Sequence, residues 1–217
     1  MSEVAKISNL EEDNNILKFT VSNINVSYAN AIRRIILSEI PCIVFKTQPY
    51  SENKVKININ KTRLNNELIK QRISCIPIHI SDIGNFPYQD YIVELNVANN
   101  TDTIIYATTE DFKIKNINTQ KYLQPSEVKM IFPPNSITGD YIDIVRLRPK
   151  LSDSLDSEQL NLEASLSVSN AEEDGMFNVV STCSYGNTLD PIKIKDTWEK
   201  KEEELKLKDH TKEEIDF

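Results

Sequence analysis

Residues 27–41 read S-Y-A-N-A-I-R-R-I-I-L-S-E-I-P, and the spacing inside this stretch decides how the rest of the chain is read. Tyr28, Ala31, Ile32, Ile35, Ile36 and Ile40 fall at i, i+3, i+4, i+7, i+8 and i+12, one face of an α-helix. Asn30, Arg33, Arg34, Leu37 and Ser38 repeat at the same interval on a second stripe. The helix is therefore two-sided, apolar on one side and arginine-bearing on the other. Paired arginines suit recognition of carboxylates or carbonyls, because each guanidinium presents planar, forked donors. Taken alone, an isolated helix of this kind carries such arginines as ordinary solvated residues. Ser27 is placed to cap the first turn, and Pro41 drives Ile40 out of the helical region and stops the helix.

Working outward, residues 15–22 and 42–48 are short and rich in Ile, Val and Phe, so the helix is flanked by strands. Val55, Ile57 and Ile59 alternate with Lys56 and Asn58, which predicts a half-buried strand over 54–60. A short helix is predicted over 66–74, capped by Asn65, with Glu67 at its positive end and Lys70 and Arg72 at its negative end. Arg72 is either a contact residue or a favourable charge on the helix dipole. From Tyr91 onward the rhythm is that of strands, at 91–97, 103–108, 111–117, 128–132, 141–148, 159–168 and 177–184. Leu160, Leu162, Ala164, Leu166 and Val168 form the cleanest alternation. Ser152 to Glu158 reads as a polar connection and Asn170 to Gly175 as an acidic loop tip. Asp196-Thr-Trp-Glu199 has the form of a capping box opening a charged helix to about Lys208, in which Glu202 can pair with Lys206 and Glu204 with Lys208.

Composition closes off several classes of function. A net charge of −8, half of it in residues 196–217, argues against gripping phosphates, since that affinity comes from Lys and Arg releasing counterions. Lys113, Lys115 and Lys121 are too few and too scattered to make a nucleic-acid patch. With 4 glycines there is no phosphate-cradling loop, and G-x-S-x-G, P-loop and H-E-x-x-H motifs are missing, so neither catalytic residues nor a cofactor are expected. Cys42, Cys75 and Cys183 form no C-x-x-C pair and read as buried thiols; His79, within Ile76–Ile80, reads as a core or edge imidazole, and His210 stands alone. No metal is expected. No apolar run is long enough for a membrane span, and the first residues lack the blocks of a signal peptide, so a reducing intracellular compartment is expected. The excess of Ile and Asn points to an AT-rich genome.

Three blocks carry a resemblance. Asn30 to Pro41 resembles the first-helix motif of the alpha-like RNA polymerase subunits: bacterial alpha, its archaeal counterpart and the third-largest subunit of eukaryotic polymerase II. Asn65 to Pro77 is similar to the archaeal and eukaryotic second block, an acidic helix start, then Arg, then an apolar run closed by Ile-Pro. Val145–Pro149, Leu160–Leu166 and Gly175–Tyr185 look like the strands that close the family's insert domain. The combination is most similar to versions carried by large DNA viruses of eukaryotes.

The resemblance implies an α+β fold in which an αβ dimerisation domain, 1–48 with 186–217, is interrupted by a mostly β insert domain, 49–185. It implies a non-catalytic assembly subunit, acting in transcription, that pairs with a smaller alpha-like chain, separate or fused downstream. In that family Tyr28, Ala31, Ile32, Ile35 and Ile36 would form the dimer seam, and Asn30, Arg33, Arg34, Ser38 and Arg72 would meet the second-largest subunit, the pair then gathering the largest. A homodimer is the less favoured arrangement. Direct nucleic-acid contact and membrane association are not expected, and the location would be that of the transcription machinery, in the nucleus, a cytoplasmic viral factory or the virion. Two departures stand out: the family's insert-domain cysteine cluster has no counterpart, and its final strand and long helix have no match before Phe217. The competing reading is a stand-alone nucleic-acid-binding or protein-interaction β module.

Overall fold

The computed structural model describes residues 4–150, 152 and 156–207. In chain order they form β1 (Lys6–Asp13), β2 (Ile16–Ser22), α1 (Val26–Ser38), β3 (Cys42–Val44), β4 (Val55–Asn60), α2 (Asn66–Ser74) and β5 (Tyr91–Ala98). There follow β6 (Ile105–Thr108), β7 (Lys113–Asn116), α3 (Pro125–Ile131), β8 (Asp143–Leu147), β9 (Gln159–Ser165), β10 (Ser167–Ser169) and α4 (Pro191–Lys206). The chain is α+β and divides into two compact units, 1–33 with 184–217 and 34–183. The division falls inside α1 and after Cys183, whereas the boundaries that the resemblance implies are 48/49 and 185/186.

The second unit is built on an antiparallel sheet in the order β4-β9-β5-β7. β9 is its central strand: Leu162 faces Ile57 of β4 on one side and Leu95 of β5 on the other. The alternation read from the sequence appears as burial, with Leu160, Leu162 and Ala164 at 0–1% exposure and the residues between them half-exposed. One face of the sheet therefore meets the core and the other meets water. α2 adds Ile69 and Ile73, both fully buried, and its start is capped as expected, the Asn65 side chain accepting from Leu68 N–H at 2.9 Å. Phe45, just past β3, is fully buried against Phe112 and Phe132, with ring centroids 6.1 Å away in each case. Asn99, at 0% exposure, organises the turn after β5: its amide donates to the carbonyls of Thr103 (2.8 Å) and Leu147 (3.0 Å), while its oxygen accepts from the backbone and hydroxyl of Thr101. A buried amide satisfied on both ends adds order without leaving an orphan group.

Several expectations are corrected. Residues 128–131 are helical, not extended, and Phe132 follows as the C-cap. Pro125 occupies the first helical position, the Glu127 carboxylate accepts from Gln124 N–H at 2.8 Å, and Val128 and Ile131 are buried one turn apart. A stretch this short, four apolar residues around Lys129, does not distinguish helix from strand by periodicity. No strand forms over 177–184: a single 3-10 turn spans Gly175–Phe177, and the Asn178 side chain then accepts from Val180 N–H at 2.9 Å, an Asx turn that takes the chain out of the extended state. The strand placed at 42–48 pairs only over Cys42–Val44, because β10 offers three partners. The cap of α1 is Asn25, whose side chain accepts from Ser27 N–H at 2.9 Å, and not Ser27. α4 starts at Pro191, five residues before the expected box, because Asp190 accepts from both Ile192 and Lys193 N–H at 3.1 and 3.2 Å.

Cys75 and His79 are exposed, while burial pushes the Cys42 thiol up in pKa and its sulfur lies 3.3 Å from the Phe177 carbonyl. Glu202 and Lys206 pair at 2.5 Å, and Glu204 meets Lys201 at 2.8 Å. Lys208, His210 and part of the 152–158 connection lie outside the described residues.

Phe45→Ala should lower the stability of the second unit by about 3–5 kcal/mol, read as a shift of its urea midpoint at unchanged slope. A second expectation concerns Glu158, whose side chain is 11% exposed. Burial pushes its carboxyl up, but the Arg148 backbone N–H (2.7 Å) and guanidinium (2.6 Å) outweigh burial and hold it below the ordinary range. A carboxyl depressed in the folded state contributes stability above its unfolded pKa and loses it as pH falls through the folded value. Glu158→Gln should therefore cost about 1.5–3 kcal/mol at pH 7, with the gap to wild type closing as pH falls through the depressed folded value, below the ordinary carboxylate range. Paired denaturation curves at several pH values test it.

Candidate assembly interface

The first unit has a feature that the second lacks. Among its described residues, 4–33 and 184–207, none is buried. Its elements are nonetheless amphipathic. Asn14 and Asn15 both take left-handed backbone (φ 49° and 61°), the geometry of a two-residue type I′ turn, and so join β1 to β2 as a hairpin. Ile7 faces Val21 across that hairpin, and Phe19 and Leu17 follow Val21 at two-residue spacing, which sets these apolar side chains on one face. Ile7 is 64% exposed and Leu17 57%.

On α1 the apolar stripe is equally open. Tyr28 is 67% exposed, Ile32 41% and Ile35 47%; Ala31 is exposed and Ile36 half-buried. None of the helix's thirteen residues is buried, so the stripe does not serve this chain's own core. α4 carries Ile194, Trp198 and Leu205 at i, i+4 and i+11, another unfilled helical stripe, with Trp198 52% exposed.

The opposite side of α1 bears the polar candidates. Arg33 is half-buried and its Nε donates to the Asn30 side-chain oxygen at 3.1 Å, one turn back, which pre-sets the guanidinium along the helix. Arg34 is exposed, and the Ser38 hydroxyl donates to the Arg34 carbonyl at 2.8 Å. Asn30, Arg33, Arg34 and Ser38 thus share one helix face. Arg72 stands apart on α2, where its Nη2 donates to the Asp143 carbonyl at 2.8 Å and ties α2 to the start of β8. That bond supplies a third role for Arg72, an internal anchor.

The hairpin and the α4 stripe escaped the sequence reading, although each left a trace: adjacent asparagines between two alternating runs for the first, and the Ile194–Trp198 interval for the second. Among the described residues no group of three or more His, Cys, Asp or Glu side chains is placed to hold a metal ion, and no helix is long and apolar enough to cross a membrane.

Residues 18–210 match the RNA polymerase Rpb3/Rpb11 dimerisation domain. The DNA-directed RNA polymerase subunit Rpo3 of Pyrococcus furiosus is 22% identical over 214 residues, covering 88% of this chain and 79% of that protein. Subunit 3B of the DNA-directed RNA polymerases IV and V of Arabidopsis thaliana is 40% identical over 73 residues, 34% of this chain and 20% of the plant protein. The Rpo3 subunit of Methanosphaera stadtmanae is 25% identical over 175 residues, 81% of this chain and 58% of its own length. A match over nearly the whole sequence, on a chain whose first helix leaves its apolar side uncovered, fixes the assignment: this chain belongs to the RNA polymerase Rpb3/Rpb11 dimerisation-domain family.

Proposed function

We propose that the chain is a non-catalytic assembly subunit of a multisubunit DNA-directed RNA polymerase. It pairs through α1 with a smaller alpha-like chain, separate or fused, and the pair then receives the second-largest subunit and after it the largest. The observation that carries this proposal is α1 itself, which holds an ordered apolar stripe with none of its thirteen residues buried, beside a first unit in which none of the described residues is buried. Burying a large apolar side chain contributes about 1.5–3 kcal/mol, so Tyr28, Ile32 and Ile35 together favour a covered state strongly. Subunits built this way acquire their core by association.

In this proposal Tyr28, Ala31, Ile32, Ile35 and Ile36 form the dimer seam, and Asn30, Arg33, Arg34 and Ser38 face the second-largest subunit. Arg72 serves that contact indirectly, by holding α2 on β8. The subunit works wherever its polymerase works.

Ile32→Asp combined with Ile35→Asp should abolish pairing while leaving the second unit folded, since its core contains neither residue. Co-purification with the smaller alpha-like chain, with light scattering for mass, reads this out. Retained pairing overturns the seam, and a wild-type chain that runs alone as a stable dimer replaces the heterodimer with a homodimer. Arg33→Ala should weaken capture of the second-largest subunit by about 2–5 kcal/mol, the cost of removing one partner of a buried charged pair, without loss of pairing. Equal recovery of that subunit by mutant and wild type in pull-downs would refute the polar face.

A further inference from the structure

The acidic turn after β10 has more structure than a solvated loop tip requires. Glu172 donates its backbone N–H to the Ser38 carbonyl at 3.0 Å, so this turn closes the C-terminal end of α1. The neighbouring Glu173 is held from three sides. Its N–H donates to the Asn170 side chain at 3.2 Å, the Ser169 hydroxyl donates to its carboxylate, and Lys46 Nζ reaches both carboxylate oxygens at 3.1 and 3.2 Å. Lys46 is itself shielded, with 14% of its side chain exposed, and also meets Glu52 at 2.6 Å. The Ser169 hydroxyl and then Lys46 hold the Glu173 carboxyl below its usual range.

Helix-end electrostatics do not account for this arrangement. Carboxylates beside a helix C-terminus are disfavoured by the helix dipole, and a carboxylate as exposed as Glu173 gains little from an ion pair. The cluster does, however, fix one geometric quantity, the position of the Glu172 N–H against the last turn of α1. That turn ends in Ser38, and Arg34 lies one turn back on the same face, its carbonyl accepting from the Ser38 hydroxyl.

We propose that Lys46 and Glu173 are positioning residues for the docking end of α1: their pair sets the 169–174 turn, whose Glu172 N–H holds the Ser38 carbonyl and so presents Arg34 and Ser38 in a fixed geometry to an incoming partner. The inference rests on the reading that this face receives the second-largest polymerase subunit. Pre-setting a contact raises affinity by removing the cost of ordering it at the moment of binding.

The test uses the full chain co-expressed with the smaller alpha-like chain, titrated with purified second-largest subunit. Glu173→Gln and Lys46→Met should each weaken binding about tenfold while the melting temperature stays near wild type. Glu52→Gln, which touches the same lysine from outside the turn, should bind nearly as wild type. In an Arg34→Ala background Glu173→Gln should add little further loss, because the residue it positions is gone. Amide exchange at Glu172 should quicken in Glu173→Gln, a readout independent of the partner. If Glu173→Gln binds as wild type while Arg34→Ala is weakened, the positioning role is overturned and the docking reading stands. If both bind as wild type, the docking reading falls with it.

Discussion

Apolar side chains arranged in register on a helix or hairpin have to be covered, and this chain covers them in only one of its two units. In the second unit, β9 sits between β4 and β5, and the residues it turns inward share a core with α2, α3 and the ring cluster at Phe45. In the first, the stripes of β2, the start of α1 and α4 are as regular but have no interior to enter, because none of the described residues there is buried. The difference is one of area, not of pattern. Two strands and isolated helices do not enclose enough volume for a core, so the side chains that would have filled one remain at the surface.

Much of this was legible in the sequence wherever period and capping agreed. α2 spans Asn66–Ser74 with the Asn65 cap in place, and β9 buries the leucines that its alternation pointed to. Both faces of α1 were likewise visible in its spacing, since an exposed stripe and a buried stripe are written alike. Failures gathered where a local hydrogen bond decided between states that periodicity leaves equal. The V-K-M-I stretch became a helix because Pro125 and Glu127 organise its first turn, and the stretch after Phe177 lost its strand to an Asx turn at Asn178. Both devices are polar and short-range, and a scan for apolar rhythm passes over them.

The candidate site was legible to a different degree. That Asn30, Arg33, Arg34 and Ser38 share a face follows from the helix alone. That Arg72 is tied to Asp143, and that the turn after β10 closes α1, depend on atoms brought together across the fold. Sequence spacing has no means of expressing a bond between residues 71 positions apart. The family match extends from residue 18 to 210 and so spans both units, including the helix that crosses between them.

The missing interior of the first unit has a cellular corollary. In the proposed assembly, a polypeptide whose greasy surfaces are covered by its partner is, while single, the kind of molecule that chaperones retain and proteases clear. Its steady-state amount would then be set less by its own synthesis than by the supply of whatever covers it, so that excess copies are removed and stoichiometry is enforced without a dedicated regulator.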